Sequence, residues 1–281
     1  MIVDFHVHSD HSDGTYAPGE ILSQAAGFAA VALTDHDDIG GAAEFISAPC
    51  EDGVFRVAGA EFSVDPGVGF DKFHLLALGF DCGNEKLKAF IDAVREERDA
   101  RNLRITENFQ RLGIDIKPDA EGGVLGRPHY ARWLVQHGYA SGMADAFSKY
   151  LLPDSPKETR CYESRCRPSQ EDAIKVVHEA GGICLMAHPR GWCKSWRDAG
   201  CDYERAERGL RELVEKGLDG LEAIYGANTQ EENVRFTMMA TRLGLLKSAG
   251  SDFHGENKPD VRLGMNVEED FITPLIERLQ R

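Results

Sequence analysis

The chain has 281 residues, 42% hydrophobic and 28% charged, enough to bury a full core as one large α/β barrel or as two domains. Its formal net charge of −15 argues against nonspecific nucleic-acid binding, which needs a basic footprint. No apolar run approaches the roughly 20 residues that cross a bilayer, and no signal-peptide pattern precedes the first strand, so a cytoplasmic protein without a membrane partner is expected. The seven cysteines are scattered (Cys50, Cys82, Cys161, Cys166, Cys184, Cys193 and Cys201) and form no CxxC pair, which predicts free thiols in a reducing compartment.

In chain order, residues 2–6 read as a strand that runs into Asp4-Phe5-His6-Val7-His8-Ser9. Alternation along a strand puts both imidazoles on one side, where they suit a divalent metal. A turn follows at Ser12-Asp13-Gly14, then a helix opening at Pro18. Apolar runs at 29–33, 54–60, 73–78, 183–187, 220–225 and 245–249 have strand length and the continuous hydrophobicity of strands buried on both faces. Helices are expected at 84–112, near 128–138 and 142–150, from Ser169 to Gly181, and at 203–217 and 229–243. Strands alternating with helices indicate βα units and a mostly parallel sheet. Between about 82 and 165 no buried strand is expected. That stretch reads as a helical insertion at 83–165, interrupting a barrel domain made of 1–82 and 166–281.

His6, His8, His36, Glu61, His188, Asp252 and His254 all fall at or just past strand ends, with Asp13 in the first such loop and His74 beside the fourth strand. In parallel α/β folds those ends share one rim. A lone His or Asp at a strand end is ordinarily a cap or a turn residue. Six imidazoles and three carboxylates on one rim are a different matter, and this mixture suits Mn²⁺, Fe²⁺ or Zn²⁺.

These motifs, His6-Val7-His8-Ser9, Thr34-Asp35-His36-Asp37, Gly59-Ala60-Glu61, Phe73-His74, Ala187-His188-Pro189 and Gly250-Ser251-Asp252-Phe253-His254, resemble in type and order the PHP (polymerase and histidinol phosphatase) phosphoesterases. The resemblance implies a distorted (β/α)7 barrel carrying up to three divalent metals, Mn²⁺ first, with Fe²⁺ or Zn²⁺ as alternatives. It implies one metal on His6, His8, Glu61 and Asp252, and a second on Glu61, His74 and His188, with Glu61 bridging. A third would lie on Asp13, His36 and His254. Length and insertion are similar to the stand-alone members that act on nucleoside 3′,5′-bisphosphates, on phosphorylated sugars including cyclic phosphates, or on short oligonucleotide ends.

The expected reaction is attack on phosphorus by a hydroxide bridging the metals near Glu61, since a metal lowers the pKa of bound water from about 15.7 towards 7. The expected substrate is a small phosphorylated sugar or nucleotide, and no nucleic-acid polymer is expected. Gly126-Arg127-Pro128-His129 resembles a substrate-binding motif, which makes Arg127 and His129 candidates; Arg190 is a weaker one. Asp35 and Asp37 flank His36 and are read as orienters, with Asp35 also a candidate acid for the leaving group. Arg98, Arg101 and Arg104 recur at three-residue spacing and read as a solvated helix face. Two rivals remain: an amidohydrolase-type C–N hydrolase, whose binuclear form usually bridges through a Lys absent from 73–80, and a nonenzymatic metal-binding module.

Overall fold

The structure is a computed structural model that describes residues 1–49, 53–65, 67, 73–119, 123–193 and 202–281, leaving aside the side chains of Trp192 and Cys193. Among the described residues there are eight strands: β1 (Ile2–Val7), β2 (Ala30–Leu33), β3 (Phe55–Ser63), β4 (His74–Leu78), β5 (Ile183–Met186), β6 (Gly220–Tyr225), β7 (Leu246–Gly250) and β8 (Met265–Asn266). The α-helices are α1 (Pro18–Gln24), α2 (Gly40–Ser47), α3 (Glu85–Arg111), α4 (Arg127–Gln136), α5 (Met143–Ala146), α6 (Gln170–Glu179), α7 (Pro189–Cys193), α8 (Tyr203–Glu215), α9 (Gln230–Arg242) and α10 (Glu269–Leu279). A π-helical turn at Phe147–Leu151 continues α5.

Strands β1 to β7 neighbour one another in chain order. The sheet then curls until its ends meet. The His8 N–H donates to Phe253 O at 2.9 Å, and the Asp252 N–H to His6 O at 2.9 Å. β8 takes the other half of the β1 edge, pairing antiparallel at Ile2 and Val3. The result is the distorted barrel expected from sequence, with one difference: β4 runs antiparallel to both β3 and β5. Ten residues separate Ser63 from His74. A parallel crossover needs a dozen or more, so the chain turns back instead. The reversal puts the start of β4, with His74, on the rim where the other strands end.

Continuous burial of β2, β4 and β5 matches their apolar runs. The barrel interior holds Val3, Phe5, Leu76, Leu185 and Ala249, while a second layer including Phe62, Leu75, Ile174 and Phe236 lies between strands and helices. Between 82 and 165 no described residue is a strand. A separate cluster forms there from Ile105, Phe109, Ile114, Tyr130, Leu134 and Leu151. α3 belongs to both regions: Leu87 and Ile91 pack on the barrel, Ile105 and Phe109 in the upper cluster.

α2, α10 and β8 were not anticipated from sequence. Cys82, Cys161, Cys166 and Cys184 are free; Cys50, Cys201 and the side chain of Cys193 lie outside the described residues. Among the described residues no helix is long and apolar enough to cross a membrane.

Candidate metal centre

Strand ends and the first loop place the other eight expected residues around Glu61, which rises from β3 and is 1% exposed. Its two oxygens face different partners. Oε1 lies 2.6 Å from His74 Nδ1 and 2.7 Å from His188 Nε2. Oε2 lies 3.5 Å from His6 Nε2, 3.4 Å from His8 Nε2 and 2.8 Å from His36 Nδ1. Asp252 Oδ1 approaches the same two imidazoles, at 3.5 Å from His6 and 3.3 Å from His8. On the other side of His8, Asp13 Oδ1 meets His254 Nε2 at 3.2 Å and His36 Nε2 at 3.9 Å.

Local geometry explains these positions. Ser12 and Gly14 N–H groups both donate to Ser9 O, folding Asp13 back over His8. A Cβ on Gly14 would lie 2.2 Å from His8 O, so only glycine permits the turn. His188 and Asp252 have φ of 26° and 59°, and Asp37, beside His36, has 50°. Such left-handed backbone costs about 1–3 kcal/mol per non-glycine residue, and among the described residues it is confined to this rim.

The atoms fit divalent metal. His6 Nε2, His8 Nε2, Asp13 Oδ1, His36 Nδ1 and Glu61 Oε2 are buried without a hydrogen-bond partner, and all five point into the cluster. Leaving such groups unsatisfied is costly unless something binds them. Burial opposes the charge on Glu61, Asp13 and Asp252, but the surrounding imidazoles hold all three carboxyls well below the usual range. Burial and neighbouring His254 push the His8 imidazole well below its ordinary value, which favours the neutral, ligating form. Among the described residues no cysteine joins the cluster, and the donor set is imidazole and carboxylate oxygen, as borderline-hard divalent ions prefer.

Above the cluster lies a cavity of about 640 Å³, lined on one side by Arg98, Arg101, Arg127, Arg165, Arg167 and Lys258. Met143, Phe147, Pro153 and Tyr162 form an apolar wall. Arg127 is where the sequence put it, in the first turn of α4, with its guanidinium 5.5 Å from the Tyr162 ring. Arg98 and Arg101 correct the reading of a solvated face: they are 7% and 5% exposed and turn into the cavity, whereas Arg104 lies outside beside Glu163.

Three other expectations change. Arg190 does not line the cavity; its guanidinium is held by Glu232 Oε1 at 3.0 Å and Ala227 O at 2.9 Å. His129 is buried beneath α4, where its Nδ1 accepts from the Gly126 N–H at 3.0 Å and fixes the turn that presents Arg127. Asp35 faces the first loop instead of the cavity: it accepts from the Ser9 N–H at 2.8 Å, from Ser9 Oγ at 2.6 Å and from Ser12 Oγ at 2.6 Å. Burial pushes its carboxyl up to about 6, but no cavity-facing atom is free to protonate a leaving group.

Several supporting residues were not anticipated. Glu222 is fully buried and lies 2.9 Å from His6 Nδ1. Asp252 Oδ2 accepts from Tyr225 Oη at 2.8 Å and Lys258 Nζ at 2.6 Å. Asp37, read from sequence as an orienter beside His36, pairs with two residues that were not expected there, Arg98 and, at 2.7 Å, Arg165. Although burial disfavours its charge, these guanidiniums hold the Asp37 carboxyl well below the carboxylate range.

Comparison with known proteins agrees with this geometry. The PHP domain profile matches residues 4–141. A 3′,5′-nucleoside bisphosphate phosphatase of Chromobacterium violaceum is 34% identical over 271 residues, 92% of this chain and 90% of that protein. A 5′-3′ exoribonuclease of Haemophilus influenzae is 31% identical over 98% of both chains. A phosphoribosyl 1,2-cyclic phosphate 1,2-diphosphodiesterase of Eggerthella lenta is 30% identical over 91% of this chain and 95% of its own length. A solved Chromobacterium violaceum structure, described as an amidohydrolase with bound sulfate and no metal, superposes with a TM-score of 0.82 at 30% identity, covering 99% of this chain and 95% of that one. With relatives of this identity aligned along nearly its whole length, the chain belongs to the PHP domain family.

Proposed function

We propose that this protein is a metal-dependent phosphoric ester hydrolase whose substrate is a small nucleotide, a nucleoside 3′,5′-bisphosphate above a cyclic or simple sugar phosphate. The observation that carries this is the unsatisfied imidazole and carboxylate cluster lying directly beneath an arginine-lined cavity. His6, His8, Glu61 and Asp252 would hold one ion, Glu61, His74 and His188 a second, and Asp13, His36 and His254 a third. Mn²⁺ is the ion proposed first, on the family resemblance, with Fe²⁺ or Zn²⁺ next; mixed imidazole and carboxylate donors accept all three. When bound, such ions supply Lewis acidity and an acidified water at neutral pH.

The chain's own residues do the remaining work. Glu61 divides its two oxygens between the sets and so fixes their spacing. Arg127 presents a guanidinium fork beside the α4 N-terminus, suited to phosphate oxygens. Arg101 is buried with its Nε unpartnered and faces the same cavity, so an anionic substrate would relieve it. Met143, Phe147, Pro153 and Tyr162 offer an apolar surface that a base would cover and a bare sugar phosphate would leave exposed. The volume lies within the roughly 300–1,000 Å³ typical of small-ligand pockets. Residues 83–165 act as a cap over a barrel made of 1–82 and 166–281, and the free thiols fit a reducing cytoplasm.

The amide-hydrolase reading is disfavoured by the bridge. Glu61 occupies it, and β4 offers only His74 and apolar residues. The test is product release from Mn²⁺-loaded enzyme. Hydrolysis is expected fastest per enzyme on a nucleoside 3′,5′-bisphosphate, read as released phosphate, and slower on a cyclic phosphoribose, read as the ring-opened monoester, and on a 5′-phosphorylated oligoribonucleotide, read as released nucleotide. Ammonia release without phosphate would overturn the reaction class; a preference for the oligonucleotide would overturn the small substrate.

A further inference from the structure

Glu222 stands in the middle of β6, a strand otherwise made of Gly, Leu, Ala, Ile and Tyr, and it is fully buried. A buried carboxylate is costly unless each oxygen is satisfied. Here the two oxygens take two different donors. Oε1 lies 2.9 Å from His6 Nδ1, and Oε2 accepts the backbone N–H of His188 at 2.5 Å. The space is shaped for this: a Cβ on Gly250 would lie 2.3 Å from Glu222 Oε1 and 2.4 Å from His6 Cβ.

His6 and His188 belong to different ligand sets. His6 aims its Nε2 at Glu61 Oε2, and His188 aims its Nε2 at Glu61 Oε1. Glu61, His6, Glu222 and His188 thus close a ring through β3, β1, β6 and the end of β5. We infer that Glu222 is a positioning residue that holds both of these ligand sets at once, so that the two metal positions sharing Glu61 are built together. Its Oε1 keeps the His6 proton on Nδ1 and leaves the Nε2 lone pair for metal. Its Oε2 pins the His188 amide in a left-handed conformation, φ 26°, which sets the direction of that imidazole. The third set, Asp13, His36 and His254, makes no hydrogen bond to Glu222 and serves as an internal control.

This inference rests on the metal-centre reading above, and the experiment separates the two. Metal content per chain and Mn²⁺ calorimetry would be measured on wild type, Glu222→Gln and Glu222→Asp. Wild type is expected to take up three ions. In Glu222→Gln, whose amide accepts through one oxygen only, two sites should weaken by about 10- to 100-fold each while the third is unchanged. Glu222→Asp, which keeps the charge, should recover part of the loss. Three undisturbed sites in Glu222→Gln, or weakening of one site alone, would overturn the inference. Fewer than three ions in wild type would instead count against the metal assignment. Should Glu222→Gln fail to fold, Glu222→Asp, whose shorter carboxylate cannot reach both donors, decides the matter: weakening of two sites with the third unchanged supports the role, and three undisturbed sites overturn it.

Discussion

Single side chains divide the work at this rim, and the division can be measured. His6 contributes only to the metal cluster, whereas Arg127 stands in the cavity wall with its guanidinium against Tyr162 and the Leu151 carbonyl. His6→Ala should lower bound metal and nearly abolish turnover. Arg127→Ala should leave metal content unchanged and raise KM, because a charge-assisted hydrogen bond contributes about 1.5–3 kcal/mol, or roughly 10- to 150-fold. Metal analysis beside steady-state kinetics checks both; equal metal loss in the two variants would refute the separation. Seven of the nine cluster residues stand out in the sequence because they fall at or just past the end of an apolar run of strand length; Asp13 follows in the first loop, and His74 opens the fourth run. Glu222 does not stand out. Its partner His6 is 216 positions away, and one Glu in an apolar strand reads as a solvent-facing alternation. Arg98 and Arg101 were hidden for a related reason: three-residue spacing describes a helix face and says nothing about what that face meets.

Among the elements, the helical segment above the barrel has its own stability to be tested. Phe109 is fully buried in the upper cluster and packs on Tyr130 and Tyr150. Phe109→Ala should cost about 3–5 kcal/mol, read by urea denaturation, with the loss concentrated in the 105–161 region by hydrogen exchange. A loss spread evenly over the barrel strands would show that the two clusters fold as one. Most helices and strands were legible in the sequence because period and capping agree locally. Ser169 accepts from the Asp172 N–H, and Thr229 and Glu232 form the reciprocal pair at the start of α9. The elements that escaped lack those marks. α2 opens on two glycines, and α10 carries Pro274 in its interior. The direction of β4 is set by the short connection before it, a property of spacing that its own residues do not display.

Across the whole molecule, the carboxylates and imidazoles of the rim are held together by a fold that leaves several of them unsatisfied. Ions that bind only the folded state add about 2.7 kcal/mol each at a free concentration one hundred times Kd. Exhaustive chelation should therefore lower the apparent melting temperature, and back-titration with Mn²⁺ should restore it in proportion to the ions bound. Calorimetric scans at fixed pH would show this; a melting point indifferent to chelator would refute it. The formal net charge of −15 coexists with six cations lining the cavity, so positive charge is concentrated beside the cluster.

The reversed β4 has a mechanical consequence. Because β4 starts at the rim, it delivers the chain to the opposite end of the barrel, where Asn84 caps α3 and its side chain reaches the Glu179 carbonyl at the end of α6. The cluster around Ile105 and Phe109, however, lies beside the cavity, whose wall it shares through Phe147. α3 is consequently a mast: its 27 residues, about 40 Å at 1.5 Å each, climb the full height of the barrel. At rim level it delivers Arg95 to Asp38 and Arg98 to Asp37, and further along it carries Ile105 and Phe109 into the second cluster. The height at which the guanidiniums hang over the metal cluster is therefore counted in helical residues from an anchor on the far side of the molecule.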